Sequence, residues 1–147
     1  MNKKIFILSL TFLLIYPACL YSADTAGLER EALALRVELN RSGNTDPFER
    51  EKILQKIIDT CKGTDEAVNA YWDLADLYLD AFPEEMRQEA CEMLELCLKN
   101  YPDSSRASMI KCRLIDLYDE KDERREKLIE ELKNDKTLPN ILRSTIK

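Results

Sequence analysis

Two stretches of this 147-residue chain resemble each other at a distance of 40 residues, and this repetition constrains the fold more than any other feature. The stretch DTCKGTDEAVNAYWDLADLY covers residues 59–78, and KNYPDSSRASMIKCRLIDLY covers residues 99–118. Thr64 is matched by Ser104, and the tripeptide DLY ends both stretches. A repeat of this length indicates one supersecondary unit that is stacked several times.

Apolar residues recur at helical spacing between short breaks, and no alternation with a period of two residues is found between turn residues. The chain is therefore predicted to be all-α, with about six helices. Short connections favour antiparallel packing of neighbouring helices. The predicted helical segments are 27–43, 45–63, 64–82, 83–101, 103–120 and 121–135, and the tail 136–147 is predicted to begin one more helix.

The starts of the helices carry capping signals. Asp46 is predicted to cap the second helix, with Pro47 in its first turn and Phe48 on its apolar face together with Leu54, Ile57 and Ile58. Thr64 is predicted to cap the third helix. Pro83 is expected to restart the chain into the fourth helix, Pro102 to end it, and Asp103 or Ser104 to cap the fifth.

Seven positions fit the pattern W-x2-L-G-x2-Y, A-x3-F, P: Tyr71, Leu74, Ala75, Tyr78, Ala90, Leu94 and Pro102. On these residues the chain resembles tetratricopeptide-repeat proteins. A second match is weaker, because Leu114 and Tyr118 fit and Lys111 and Ile115 do not. The resemblance implies antiparallel helix pairs stacked as a short right-handed solenoid, with repeat-like units at about 26–63, 64–103 and 104–137 and a short tail at 138–147.

The phrase YPDSSRA resembles the turn between repeats in bacterial cell-envelope members of this family, of the Tol-Pal and outer-membrane assembly type.

An export signal is also predicted. The basic start MNKK, the apolar run at 5–16 and the following PACLYSA have the three-part layout of a secretory signal peptide. Residues 1–23 are predicted to be this signal and 24–147 the helical domain. The alternative is a lipoprotein signal that ends before Cys19, to which a lipid would be attached.

Charge and composition restrict the class of function. The chain has 22 basic and 28 acidic residues, and removing the signal takes away only Lys3 and Lys4, which leaves 20 minus 28, or −8. This charge opposes nucleic acids and anionic membrane surfaces as partners. Without histidine and with three glycines, the chain lacks the commonest general base and a glycine-rich phosphate loop. We expect no catalysis, no cofactor and no metal site.

The resemblance also implies a binding surface. In such stacks the first helix of each pair lines the concave side. Trp72 is the most informative residue there, and it is expected to lie on the binding surface with Tyr71 in the core. The alternative is that Trp72 is the core aromatic residue and Tyr71 lies beside it. The positions that family geometry places on this side are Asn69, Trp72, Asp73, Asp76 and Leu79 in the third helix, and Met109, Cys112, Arg113, Asp116 and Asp119 in the fifth.

Acidic residues and cysteines leave alternatives open. Asp73, Asp76, Asp80, Asp116, Asp119 and Glu120 form either one wall of the groove, a solvated helix face or, as a minor alternative, the carboxylate pair of a small enzyme. Cys61, Cys91, Cys97 and Cys112 are either disulfide partners or small buried apolar residues.

The function predicted from the sequence is that of an exported module that binds a protein or peptide of the bacterial cell envelope. It would be periplasmic or associated with the outer membrane, and it would touch the membrane only through a lipid at Cys19. The alternative is a structural docking subunit or lipoprotein with no ligand in the groove. The apolar face of the sixth helix, formed by Leu128, Ile129 and Leu132, either belongs to a terminal cap or docks on another chain, which would favour a homo-oligomer.

Overall fold

The computed structural model describes residues 25–41, 46–81, 83–135 and 138, and every regular element in these ranges is an α-helix. The all-α prediction is confirmed. The expected signal at 1–23, Cys19 and the tail beyond Leu138 lie outside the described residues. The helices are α1 (residues 25–41), α2 (Pro47–Thr60), α3 (Asp65–Ala81), α4 (Arg87–Asn100), α5 (Ala107–Leu117) and α6 (Glu123–Asn134).

Helix α2 begins as its sequence predicts, with one exception on its apolar face. The Asp46 Oδ1 atom accepts a hydrogen bond of 3.0 Å from the Phe48 amide, and Pro47 lies in the first turn. Leu54 and Ile57 are fully buried, whereas Phe48 is 61% exposed. Phe48 precedes Leu54 by six residues, so at about 100° per residue it points about 120° away from Leu54. The placement of Phe48 on the buried face was therefore wrong.

The turn between α2 and α3 is closed by Thr64. Its Oγ1 atom donates to the Cys61 carbonyl at 2.7 Å and accepts from the Ala67 amide at 3.3 Å, so the predicted cap is confirmed. Gly63 has a φ of +85°, which favours glycine. The Gly63 amide donates to the Tyr101 hydroxyl at 3.2 Å, which joins this turn to the equivalent turn one repeat later.

The next two helices begin later than their sequence signals suggest. Pro83 is followed by turns, and α4 begins only at Arg87. The Ser104 Oγ atom accepts from the Arg106 amide at 3.2 Å, and α5 begins at Ala107. The side chain of Ser104 therefore stabilises the turn just before α5 rather than the first helical turn itself.

One apolar cluster joins α1 to α5. Leu54, Leu74, Leu94 and Leu114 come from four successive helices, and each is at most 1% exposed. Helix α1 contributes Ala32, Leu35 and Leu39 to the same cluster. The regular spacing of these leucines in the sequence thus corresponds to one continuous core.

Hydrogen bonds between neighbouring helices show the directions in which these helices run. Tyr71, in the first half of α3, accepts a bond of 3.2 Å from Asn100, the last residue of α4. Arg87, the first residue of α4, donates to the carbonyl of Leu117, the last residue of α5, at 2.9 Å. Both α3 and α5 are therefore antiparallel to α4, and so they run parallel to each other.

Helix α6 packs through a smaller, separate cluster. Asp122 caps the helix by accepting from the Arg124 amide at 2.8 Å. Ile129 and Leu132 are 5% and 1% exposed, and they pack with Ile115 of α5 and with Leu138. The alternative in which this face is free to dock on another chain was therefore wrong for Ile129 and Leu132, since α5 of the same chain covers them.

Candidate binding face of α1, α3 and α5

Ion pairs connect α1 to α3 and α3 to α5, which shows that these helices lie side by side. Arg36 of α1 contacts Glu66 of α3 at 3.1 Å and also forms an ion pair with Asp73. Arg113 of α5 contacts Asp76 of α3 at 3.0 Å. These three helices thus form one layer, whose apolar side is buried in the core.

The opposite side of this layer is the candidate binding face, which we call the outer face. It follows from helical geometry, because residues opposite a buried stripe on each helix point away from the core. The residues of the outer face are Arg30, Leu33, Val37 and Arg41 of α1; Asn69, Trp72, Asp73, Asp76, Leu79 and Asp80 of α3; and Met109, Cys112, Arg113 and Asp116 of α5.

On α3, the two neighbouring aromatic residues have different environments. Tyr71 is 5% exposed and lies in the core, with its ring centroid 6.2 Å from that of Tyr101. Trp72 is half-buried, so it packs against the core with part of its side chain and leaves the rest accessible. Asn69 is half-buried as well and donates to Glu66 at 3.2 Å. Tyr71 is therefore the core aromatic residue, and Trp72 is its flank.

On α5, the outer face is more open than on α3. Met109 is 43% exposed, and Asp116 is exposed as well. Cys112 and Arg113 are half-buried. The Arg113 Nε atom is buried without a hydrogen-bond acceptor among the described residues, although the Nη2 atom of the same side chain contacts Asp76.

Sequence reasoning missed the contribution of α1. Leu33 is 63% exposed and Val37 is 39% exposed. A signal for both was present, because Ala32, Leu35 and Leu39 precede Tyr71, Leu74 and Tyr78 by 39 residues. With the same shift, Leu33 occupies the position equivalent to Trp72, and Val37 occupies the position equivalent to Asp76.

The carboxylates of this region fall into two groups. We call the lines of contact between α1 and α3 and between α3 and α5 the seams of the layer. Asp73 and Asp76 form ion pairs across these seams. Asp80, Asp116, Asp119 and Glu120 form no ion pair with any described residue. All four are exposed, whereas acid–base chemistry requires carboxyl groups in different, partly enclosed environments.

Hydrogen bonds and burial raise the pKa values of two tyrosines, Tyr78 and Tyr118. Burial, together with a hydrogen bond of 2.8 Å to Glu51, raises the pKa of Tyr78 to about 12. Burial and the hydrogen bond to Glu95 also raise the pKa of Tyr118. Both hydroxyls therefore stay protonated at neutral pH and donate to carboxylates of the preceding helix, which is a structural role.

Two of the crevices beside the layer are small and mainly polar. One of about 220 Å³ lies between the N-terminal ends of α3 and α5 and is lined by Asp65, Asn69 and Arg106 among others. Another of about 250 Å³ lies where α4 begins and α5 ends, beside Arg87 and Tyr118. Neither resembles the apolar cavity of 300–1,000 Å³ that is usual for a small organic ligand.

The four cysteines that the structure describes are free thiols. Cys61, Cys91 and Cys97 are buried, and Cys112 is half-buried, so the interpretation as small apolar residues fits the first three. Burial raises the pKa of Cys97 to about 11, which disfavours the reactive thiolate. Within the described ranges, no group of three or more metal-ligating side chains could hold a metal ion.

None of the described helices is both long and apolar enough to cross a membrane. In comparisons with known proteins, no protein-family model matches the chain, and neither curated proteins nor solved structures give a significant match. Its function is therefore inferred from the residues of the outer face.

Proposed function

We propose that this chain is an exported, tetratricopeptide-like module of the bacterial cell envelope that binds a protein or peptide through its outer face, without catalysis. One observation carries the proposal. The ion-paired layer of α1, α3 and α5 leaves Leu33, Val37 and Met109 exposed on the side opposite its own core. Between them, Trp72 and Leu79 of α3 are only half-buried, and exposed apolar residues with a polar rim are typical of interaction sites.

The proposed arrangement is a short right-handed solenoid of helix pairs. It is supported by the parallel directions of α3 and α5 and by the core leucines at similar positions of successive units. It is also supported by the spacing of the ion pairs, since Arg36 and Asp73, and likewise Asp76 and Arg113, are 37 residues apart. In such a stack each first helix contacts the first helix of the next unit, and these helices line a binding surface.

Export is supported by the basic start and the apolar run at 5–16. We propose a periplasmic location, with attachment to the outer membrane through Cys19 as the alternative. Metabolic labelling with palmitate decides between them, because only a lipoprotein would incorporate label, and a Cys19→Ser variant would lose it.

The binding proposal is tested with two matched pairs of substitutions. Leu33→Ser with Met109→Ser removes apolar contact from the outer face. Phe48→Ser with Leu96→Ser is the control, because Phe48 and Leu96 are similarly exposed, at 61% and 38%, on α2 and α4. Proteins co-purifying with the tagged full chain from the native envelope are quantified, and circular dichroism checks the fold of each variant.

We expect the outer-face pair to lose at least one partner that the control pair retains, with unchanged helicity for both. Retention of every partner by the outer-face pair would contradict the proposal.

A structural docking subunit is the second candidate. It is favoured by α4, where Leu96 is 38% exposed and an open apolar depression of about 410 Å³ lies beside Met93. For such a subunit the result reverses, so that Phe48→Ser with Leu96→Ser loses the partner and the outer-face pair keeps it.

A further inference from the structure

The outer face carries its charges unevenly. In its central part, Asp73 and Asp76 are neutralised by Arg36 and Arg113. Toward the C-terminal ends of α3 and α5, the acidic side chains have no ion pair among the described residues. These side chains are Asp80, Asp116, Asp119 and Glu120.

These unpaired carboxylates lie at the same end of the layer. Asp80 and Asp116 are each the last residue but one of their helix. The two helices are parallel and are aligned by the contact of 3.0 Å between Asp76 and Arg113. Asp80 follows Asp76 by four residues, and Asp116 follows Arg113 by three, so both lie about one helical turn beyond this contact.

The placement of these acids is unfavourable for the chain alone. The C-terminal end of a helix carries a partial negative charge, which disfavours carboxylates and favours basic residues. Neither α3 nor α5 has a basic residue in its last turn. The chain thus concentrates acidic side chains at one end of a face that also carries the exposed apolar residues Leu33, Val37 and Met109, while its exposed basic residues Arg30 and Arg41 lie on α1.

We infer that the partner segment that binds the outer face is amphipathic and basic, with apolar side chains that cover Leu33, Val37 and Met109 and with Lys or Arg residues beside Asp80 and Asp116. This inference rests on the proposed function and adds the chemistry of the partner. Charge complementarity selects this occupant, because an acidic peptide or a nucleic acid would meet like charge there.

The inference is tested with two synthetic helical peptides that have the same leucine positions and carry either Lys or Glu at all other positions. Trp72 is the only tryptophan of the chain and lies on the outer face, so its fluorescence reports binding. We expect the Lys peptide to give a saturable change in Trp72 emission that weakens as salt rises. The Glu peptide should give none.

Two charge variants show where the Lys peptide binds. Asp116→Asn with Asp119→Asn should weaken binding roughly three- to tenfold at low salt, because exposed charge pairs contribute modestly. The same pair should slightly raise the melting temperature, since it removes carboxylates from a helix C-terminus. The control is Glu126→Gln with Glu130→Gln, an equal charge change at exposed positions of α6, and it should leave binding nearly unchanged.

Three results would overturn the inference: equal binding of the two peptides, no binding of either, or equal weakening by the control pair. Self-association of the chain in sedimentation that is lost in Leu33→Ser with Met109→Ser would also overturn it, since a second copy would then cover the face. If the outer-face pair loses an envelope partner while the peptides are not distinguished, only the charge inference fails and the proposed function stands.

Discussion

The two sides of α3 differ in what their residues contact. On the core side, Tyr71, Leu74 and Tyr78 are at most 9% exposed and pack against α2 and α4. On the outer side, Trp72 and Asp76 are only half-buried, and their neighbours on α1 and α5 include exposed apolar residues. The core side accounts for folding. We expect the outer side to contribute less, which fits the proposed binding role.

The largest expected effect is a difference in unfolding free energy between substitutions on the core side and on the outer face. Leu74→Ala removes a fully buried side chain and leaves a cavity in the main cluster, which should cost about 2–5 kcal/mol of unfolding free energy. Leu33→Ala, on the outer face, should change it by less than about 0.5 kcal/mol. Urea unfolding followed by circular dichroism measures both. Similar losses would show that the outer side of α1 also stabilises the fold.

A smaller effect is expected at the junction of α3 with α2. Tyr78→Phe removes the hydrogen bond to Glu51 and should cost about 1–2 kcal/mol at neutral pH. The pKa of Tyr78 is raised from 10.0 to about 12 in the folded chain. The stabilisation that it provides is therefore complete below pH 10 and is lost as the pH rises from 10 to about 12.

The melting temperature of the wild type should accordingly fall more steeply than that of Tyr78→Phe across this alkaline range. Parallel curves for the two proteins would show that the phenol of Tyr78 is not coupled to folding.

The smallest effect concerns the seams that hold the layer together. Arg36→Met breaks the ion pairs with Glu66 and Asp73 but keeps an apolar stem of similar length. We expect a loss of about 0.5–1 kcal/mol, reduced for partial solvent exposure, and a smaller difference from the wild type at high salt. A loss as large as that of Leu74→Ala would mean that the seam, rather than the core side, determines stability.

The core could be predicted from the sequence because it repeats. Leu74, Leu94 and Leu114 follow from helical periodicity, and Asp46 and Thr64 from capping chemistry. Helical periodicity and repeat spacing together therefore indicated which side of α3, α4 and α5 is buried.

The seams could not be predicted in the same way. An ion pair such as Arg36 with Asp73 depends on which helices lie side by side, and the 39-residue shift that relates α1 to α3 does not specify this. The burial of Ile129 and Leu132 depends in turn on how α6 folds back on α5. Both are tertiary contacts for which a single amphipathic pattern carries no signal.

Photocrosslinking in living cells tests the central claim most directly, namely that the outer face is the surface that binds a partner. A photoreactive amino acid is placed in the full chain at Leu33, Met109, Phe48 or Leu96, one position at a time, and the adducts are identified by mass spectrometry. We predict the same adduct from Leu33 and Met109 and none from Phe48 or Leu96. Adducts from Phe48 or Leu96 alone, with none from Leu33 and Met109, would contradict the claim.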